Sequence, residues 1–171
     1  IVAGTYGAAA VAAGGEVLLR GICPSDLKVP LEEFQKAGAA VDADEENCQI
    51  RICMRKRPLP LLIKTEPYPG FPTDLQSPFM AFLATALGTS YIEEQVFEGR
   101  FATAKILEQM GAVIRTENQR AVIEGHYPLK GAAVNACDLR GGAALMVAAL
   151  AAEGDTFIGE CHHIERGYED I

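Results

Sequence analysis

Two acidic residues, each followed by leucine, stand where helices are predicted to begin: Asp74-Leu75 and Asp138-Leu139. A carboxylate at a helix start can accept hydrogen bonds from free backbone N–H groups, and it meets the positive end of the helix dipole. Arg140 follows the second pair directly, and Arg166 lies near the end of the chain. A guanidinium group offers paired donors that suit a carboxylate or a phosphate. These residue types therefore predict a site that binds a small anion.

The local sequence also allows a simpler interpretation of each of these residues. An aspartate in the position of Asp74 is most often only a helix cap. An arginine such as Arg140 or Arg166 is most often exposed and in a surface ion pair. The residue types alone thus leave a structural role and a functional role open.

A proline-rich loop must position Asp74. Three prolines within residues 67–72 fix the backbone as it leaves a predicted strand at residues 60–64. Thr73 or Asp74 is then predicted to cap a helix that runs toward Leu87. Such a rigid loop would hold one carboxylate still.

The totals describe one globular domain. The chain has 171 residues, of which 49% are hydrophobic and 22% charged, which is enough to bury a sizeable core. Its formal net charge of −8 argues against a nucleic-acid surface, because phosphate neutralisation needs a basic face. The basic cluster Arg55-Lys-Arg57 is interpreted as a solvated loop. No apolar run reaches the length of a membrane span, and no signal peptide is recognised, so neither a nucleic acid nor a membrane is an expected partner.

The cysteines indicate a reducing compartment. They are odd in number and contain no CxxC pair, which favours reduced thiols over a disulfide framework; they are Cys23, Cys48, Cys53, Cys137 and Cys161. Cys161-His-His163 falls on a predicted strand at residues 156–161 and just beyond it. Adjacent strand residues point to opposite faces, so no metal site is expected there.

The chain repeats itself. Gly15 and Gly88 each end a predicted helix and lie 73 positions apart, as do Gly38 and Gly111. A fixed period indicates a repeated supersecondary unit, here β-α-β-α-β-β. The predicted units span about residues 1–66, 67–132 and 133–171, the third being truncated, and together they form a single domain.

The first helix of each unit is rich in alanine and apolar nearly all round, at residues 8–13, 81–87 and 143–152. Such helices belong inside a domain. The sheets would then lie outside, which is unusual because helices normally cover sheets. The fold class is therefore α/β (α+β) with buried helices and outer sheets. Equivalent helix N-termini of related units could converge on one anion.

Four motifs resemble one family of enzymes. Tyr68-Pro-Gly-Phe-Pro-Thr-Asp-Leu-Gln76 resembles the second-domain signature of the UDP-N-acetylglucosamine 1-carboxyvinyltransferase family, a group of enolpyruvyl transferases. The resemblance continues, with matching order and spacing, through Val96-Phe-Glu-Gly-Arg-Phe101, Asp138-Leu-Arg140 and His163-Ile-Glu-Arg-Gly-Tyr-Glu169. It covers nearly all of the chain and implies an inside-out α/β barrel built from three of the repeated units.

The resemblance implies a specific reaction. The family transfers the enolpyruvyl group of phosphoenolpyruvate to the 3′-hydroxyl of UDP-N-acetylglucosamine and releases phosphate, the first committed step of peptidoglycan precursor synthesis. Asp74 would orient that hydroxyl and accept its proton, and Val96 and Phe97 would contact the nucleotide sugar. Arg140 and Arg166 would approach phosphoenolpyruvate when two domains close.

Two further residues receive roles by the same resemblance. Asp138 would hold arginines in place, and Arg100 would contact substrate or the other domain. Asp74 and Arg166 are the expected catalytic residues, and all seven positions from Asp74 to Arg166 are expected to bind substrate. The resemblance implies no cofactor and a bacterial type of cytoplasmic location.

The family also has a part that these residues do not match. Its general acid is a cysteine on a mobile loop of the first domain, and none of the five cysteines here lies in a similar glycine-rich loop. Because the chain opens on Ile1 and stops inside an apparent new helix at Ile171, it is expected to be a fragment that needs the first domain. Alone, it is expected to be inactive.

Two other functions remain open. The nearest is the shikimate-pathway relative, 5-enolpyruvylshikimate-3-phosphate synthase, which shares fold and chemistry. Phe71-Pro-Thr-Asp74 and Val96-Phe-Glu98 favour the nucleotide-sugar enzyme instead. The other is a non-catalytic α/β domain that binds an anion or a partner, which would be favoured if the chain began at Ile1.

Overall fold

Helices and short strands alternate along residues 1–168, the part of the chain that the computed structural model describes. The α-helices of this part are α1 (Val2–Ala13), α2 (Lys28–Lys36), α3 (Gln76–Leu83), α4 (Ala102–Gln109), α5 (Leu139–Leu150) and α6 (His162–Glu165). The strands of the first two sheets are β1 (Glu16–Arg20), β2 (Ala40–Asp44), β3 (Gln49–Cys53), β4 (Leu62–Lys64), β5 (Thr89–Glu93), β6 (Val113–Glu117) and β7 (Arg120–Glu124). Four strands of two or three residues follow: β8 (Leu129–Lys130), β9 (Ala133–Asn135), β10 (Ala152–Glu153) and β11 (Phe157–Gly159).

The repeat predicted from the glycines is present in the strands. β1 and β5 begin and end 73 positions apart, and so do β2 and β6. β3 and β7 are 71 positions apart, because the turn between β6 and β7 is two residues shorter than the turn between β2 and β3. The period thus holds through each unit up to its hairpin.

The sheets repeat in the same way. The first has the strand order β1-β3-β2, and the second has β4-β5-β7-β6. Hairpin pairs in both are antiparallel, whereas β4 lies parallel to β5. β4 therefore belongs to the second sheet, although the sequence placed residues 1–66 in the first unit. The β9–β11 pair is also parallel, so it repeats the β4–β5 arrangement in the third unit.

The helices α1, α3 and α5 pack against one another in the core, as predicted, although α3 itself contains a single alanine. Every residue of α3 is buried. Close approach depends on small residues: a Cβ atom at Gly4 of α1 would lie 2.4 Å from the Leu75 side chain. Phe79 of α3 stacks on Phe34 with ring centroids 4.7 Å apart, a contact worth about 1 kcal/mol beyond burial. Strands such as β3 and β7 alternate buried and more exposed residues, so the sheets cover the helices from outside.

Three local predictions were wrong. The helix after the proline-rich loop ends at Leu83 rather than near Leu87. Arg57 is not part of a solvated loop: it is half-buried and donates hydrogen bonds to the carbonyl oxygens of Thr85 (3.0 Å) and Ala86 (2.8 Å), just beyond α3. Carbonyl groups at a helix end lack partners within the helix, and Arg57 supplies donors there.

The last of these errors concerns the strand at residues 156–161. It is shorter than predicted and ends at Gly159, and His162 and His163 lie on α6 instead. The reason given from the sequence against a metal site therefore does not apply. Within residues 1–168, no His, Cys, Asp and Glu side chains group closely enough to hold a metal ion. The helices of the same residues include none with both the length and the apolar character of a membrane span.

Candidate active site at the start of the second and third core helices

Asp74 lies at the start of α3, in a short 3₁₀ helix (Thr73–Leu75) that follows the proline-rich loop. Because α3 packs against α5, this turn comes next to Arg140, in the first turn of α5. Oδ1 of Asp74 accepts a hydrogen bond of 2.6 Å from Nε of Arg140, and Nη2 of Arg140 is also 2.6 Å away. The predicted meeting of two helix starts is therefore present as a direct ion pair.

Arg100 approaches the same carboxylate oxygen. Its Nη1 lies 3.4 Å from Oδ1 of Asp74, and its guanidinium sits over the ring of Phe97, 4.5 Å from the centroid. We call Asp74, Arg100 and Arg140 the Asp74 cluster. Their side chains are 27%, 25% and 34% exposed, so the cluster is open to solvent. Two arginines against one carboxylate leave a positive charge, and the helix N-termini add to it.

The carboxylate of Asp74 still has accepting capacity. Within residues 1–168, the hydrogen bonds to Asp74 all reach Oδ1. Oδ2 is left for a donor from outside this part of the chain, such as a hydroxyl group. A carboxylate has about four lone-pair positions, so binding such a donor does not require breaking the Arg140 pair.

Asp74 does not cap α3. The start of α3 has no side-chain cap hydrogen bond, and neither has the 3₁₀ helix before it. The prediction that Thr73 or Asp74 caps this helix is wrong because both side chains have other partners. Thr73 donates to Glu94 over 2.8 Å, and Asp74 pairs with the arginines.

Asp138, by contrast, is a true cap. It is extended (φ −161°), and its Oδ1 accepts a 2.7 Å hydrogen bond from the N–H of Gly141. The expectation that Asp138 holds arginines in place does not match this geometry, since the ion pairs of residues 1–168 give it no arginine. Burial raises the pKa of the neighbouring Cys137 thiol, and the charge of Asp138 raises it further. A raised thiol pKa means less reactive thiolate.

Val96 and Phe97 lie in the loop that follows β5 and are held by a carboxylate that the sequence did not single out. Glu94 is 1% exposed. Its Oε1 accepts hydrogen bonds from the N–H groups of Val96 (2.9 Å) and Phe97 (3.1 Å). Val96 is half-buried, whereas Phe97 is 50% exposed. The loop therefore presents an apolar ring beside the Asp74 cluster.

Arg166 is the predicted residue that the structure does not bring to the cluster. It is exposed at the C-terminal end of α6, and the ion pairs among residues 1–168 do not join it to Asp74. Tyr168, two residues later, is buried, and its hydroxyl lies 2.8 Å from Oγ1 of Thr5 in α1. Glu169, the end of the fourth motif, lies outside the described residues.

Tyr168 is close enough to the cluster to sense its charges. Burial raises the pKa of Tyr168; the hydrogen bond with Thr5 and the charge of Arg140 oppose this, and the charge of Asp74 adds to it. The segment after α6 thus reaches Thr5 in α1 and packs in the same apolar cluster as Leu139 at the start of α5. The sequence analysis assigned no role to Tyr168 or to Glu94. Tyr168 lies in the motif around Arg166, which was a signal for it, whereas Glu94 lies in none of the four motifs.

Comparison with known proteins identifies the family. All residues from 1 to 171 match the family model of EPSP synthase (3-phosphoshikimate 1-carboxyvinyltransferase). The chain belongs to this family of enolpyruvyl transferases. The membership in the enolpyruvyl transferases that the four motifs indicated is thereby confirmed.

Relatives within the family carry the nucleotide-sugar name. A UDP-N-acetylglucosamine 1-carboxyvinyltransferase of Desulfofundulus thermocisternus is 48% identical over 100% of this chain and 70% of its own length. One from Hyphomonas neptunium is 45% identical over 100% of this chain. The chain spans only 40% of that relative, and 40% also of the relative from Caldanaerobacter subterraneus, which is 46% identical.

Solved structures of enolpyruvyl transferases share the fold. The enolpyruvyl transferase NikO from Streptomyces tendae matches 98% of this chain with a TM-score of 0.83 at 26% identity, over 40% of its own length. EPSP synthase from Acinetobacter baumannii matches 95% of the chain with a TM-score of 0.69 at 19% identity. The latter likeness concerns the fold alone.

Proposed function

We propose that the protein containing this chain transfers the enolpyruvyl group of phosphoenolpyruvate to the 3′-hydroxyl of UDP-N-acetylglucosamine. The observation that carries this proposal is the Asp74 cluster: a fixed carboxylate with Oδ2 available, flanked by two arginines at the start of two helices. The names of the relatives at 44–48% identity support the same acceptor. Peptidoglycan precursor synthesis in the bacterial cytoplasm is the process that uses this reaction.

In this proposal Asp74 is the general base. Oδ2 binds the acceptor hydroxyl and takes its proton as the oxygen adds to C2 of phosphoenolpyruvate, while the general acid of the further domain protonates C3. The bond between C2 and the phosphate oxygen then breaks as C3 loses a proton, which restores the double bond and releases phosphate. A positioned base of this kind contributes about 10²- to 10⁴-fold. The Arg140 pair orients the carboxylate, because two donors on Oδ1 fix the plane in which Oδ2 points.

The other site residues surround that base. Val96 and Phe97 would contact the nucleotide sugar, since the loop after β5 is rigidly held and presents an exposed ring. Arg140 would also face the carboxylate or phosphate of phosphoenolpyruvate, as would Arg166, whose exposed position leaves it available. Arg100 would join substrate to Asp74. Asp138 would contribute by holding the start of α5, the helix that carries Arg140.

The proposed architecture has two domains. We infer that the three units close into an inside-out barrel, because α1, α3 and α5 already form a buried core with sheets around it. The relatives are longer than this chain, which supports a further domain that closes over the Asp74 cluster and supplies the general acid. Excluding water would strengthen the effect of the arginines on developing charge.

The test is an acceptor comparison with the full-length protein. Phosphate release from phosphoenolpyruvate is measured with UDP-N-acetylglucosamine and, separately, with 3-phosphoshikimate. We expect turnover with the nucleotide sugar only. Turnover with 3-phosphoshikimate alone would transfer the assignment to the EPSP synthase reaction. Calorimetric binding of either acceptor with no phosphate release would instead identify a binding domain.

A further inference from the structure

Glu94 connects three segments of the chain through one buried carboxylate. Oε1 accepts hydrogen bonds from the Thr65 hydroxyl (2.8 Å) and from the N–H groups of Val96 and Phe97, and Oε2 accepts one from the Thr73 hydroxyl (2.8 Å). Thr65 follows β4 and is itself fully buried. Its hydroxyl also accepts a 2.9 Å hydrogen bond from the N–H of Gln95.

All four donors to this carboxylate are neutral hydroxyl or amide groups. A charge that is 1% exposed must be compensated by hydrogen bonds, because losing one leaves an expensive unsatisfied group. Bonds to a carboxylate are shorter and about twice as strong as those between neutral groups. The network therefore resists displacement of any one of its segments.

Two of these segments carry the proposed acceptor site. Thr73 immediately precedes Asp74, and the loop after β5 presents Val96 and Phe97. Within residues 1–168, no helix or strand hydrogen bonds join the two segments. Arg100 connects them at the partly exposed surface, where it pairs with Asp74 and lies over Phe97. The buried connection is the Glu94 carboxylate, which holds Thr73 with one oxygen and both loop N–H groups with the other.

We propose that Glu94 is a positioning residue that sets the distance between the base Asp74 and the sugar-contacting loop at Val96 and Phe97. The role rests on the proposed function, because it concerns the placement of the acceptor hydroxyl against Asp74. Misplacement of a reacting group by about 1 Å can cost on the order of 10²-fold in rate. Loosening one end of the Glu94 connection should therefore affect turnover more than stability.

Thr73→Val tests this in the full-length protein, because valine keeps the shape of threonine and removes the hydroxyl. We expect kcat to fall about tenfold, with KM for the nucleotide sugar changed by less than about threefold. Thr73→Ser restores the hydroxyl and should restore kcat to within about twofold of the original protein. Thr85→Val is the matched control. Thr85 follows the opposite end of α3, and its buried hydroxyl donates a 2.7 Å hydrogen bond to the carbonyl oxygen of Phe82. Removing this hydroxyl should leave kcat unchanged.

A second measurement does not depend on catalysis. Glu94→Gln keeps the size of the side chain but removes the charge, so the N–H groups of Val96 and Phe97 lose their charge-assisted acceptor. We expect amide hydrogen exchange at these two positions to accelerate at least tenfold, and also to accelerate in Thr73→Val. Thr85→Val should leave both rates as they are.

The outcomes separate this proposal from the proposed function. If the unmodified protein transfers no enolpyruvyl group to either acceptor, the proposed function fails, and the exchange rates alone decide whether Glu94 couples the two segments. Unchanged exchange at Val96 and Phe97 in both variants would overturn the coupling. An equal loss of kcat in Thr73→Val and Thr85→Val, or no rescue by Thr73→Ser, would show that Glu94 only stabilises the fold.

Discussion

The starts of α3 and α5 look alike in sequence and differ in structure. Each has an aspartate followed by leucine, and each opens a buried, apolar helix. Asp138 is extended and its Oδ1 accepts the N–H of Gly141, so its carboxylate binds the backbone of its own helix. Asp74 lies inside a 3₁₀ turn that caps nothing, and its carboxylate faces the arginines of two other segments.

The difference shows how the backbone at a helix start decides whether an aspartate caps the helix or pairs with side chains of other segments. At the start of α3, the 3₁₀ turn Thr73–Leu75 precedes the helix and places Asp74 past the capping position. At the start of α5, the chain enters the helix directly from an extended residue. The start of α1 is a third case, with no side-chain cap and no acidic residue in its first turn; there Thr5 bonds to Tyr168. One repeated unit thus yields a carboxylate paired with arginines, a helix cap and a hydroxyl that anchors Tyr168.

The largest expected effect is at Asp74. Asp74→Asn keeps the shape of the side chain and removes the base, so we expect kcat of the full-length protein to fall at least about 10²-fold. The free energy of unfolding should change by less than about 1 kcal/mol, because the lost ion pairs are partly exposed. Steady-state phosphate release measures the change in kcat, and thermal melting measures the change in stability. Full activity together with a clearly lower Tm would make Asp74 a structural residue like Asp138.

A smaller effect is expected from the partner of Asp74. Arg140→Lys keeps the charge but cannot place two donors on Oδ1, so the orientation of the carboxylate is lost. We expect kcat/KM for phosphoenolpyruvate to fall about tenfold, equivalent to about 1.4 kcal/mol. Arg115→Lys, on the exposed face of β6, is the control and should retain kcat/KM. An unchanged value in Arg140→Lys would mean that charge alone suffices at the start of α5.

Much of the fold could be predicted because it follows from periodic patterns. The glycines at helix ends and the apolar character of the helices are local signals, and they indicated the repeat and the buried position of α1, α3 and α5. Gly14, Gly38 and Gly111 all have positive φ, the backbone conformation for which glycine is suited. The place of β4 could not be predicted, because its partner β5 lies beyond the proline-rich loop.

The site was only partly predictable, for a different reason. The motifs indicated Asp74, Arg100 and Arg140, but which oxygen of Asp74 each arginine reaches depends on how α3 and α5 pack. Glu94 was missed because an acidic residue just after a strand normally suggests an exposed position. The buried Glu94 carboxylate is stabilised by hydroxyl groups from two segments that are distant in sequence, those of Thr65 and Thr73. Within residues 1–168 no ion pair joins Arg166 to the cluster, and its approach to phosphoenolpyruvate on domain closure stays a prediction.

The cap at α5 should appear in stability. Asp138→Ala removes the acceptor for the Gly141 N–H, and we expect the free energy of unfolding to fall by about 1 kcal/mol, which lowers Tm by about 2–4 °C in a protein of this size. Asp138→Asn keeps a capping oxygen and should melt close to the original protein. Melting of Asp74→Asn beside these two variants compares the two helix starts directly. Equal Tm values for Asp138→Ala and Asp138→Asn would mean that the cap does not stabilise α5.

The smallest effect concerns the anchor at α1 and appears only in alkali. Because the folded protein raises the pKa of Tyr168, the neutral phenol is favoured in the folded state. The neutral phenol therefore contributes fully to the free energy of unfolding at pH values below the pKa of an unfolded tyrosine, about 10. This contribution is lost as the pH rises from there through the pKa of Tyr168 in the folded protein. Tyr168→Phe removes this titration together with the Thr5 hydrogen bond, so its Tm should start lower at neutral pH and decline less steeply above pH of about 10. Tyr68→Phe, at an exposed tyrosine, should follow the alkaline decline of the original protein. An identical decline in Tyr168→Phe would show that Tyr168 ionises as readily in the folded chain as in the unfolded one, and that the α1 start is not held by a buried phenol.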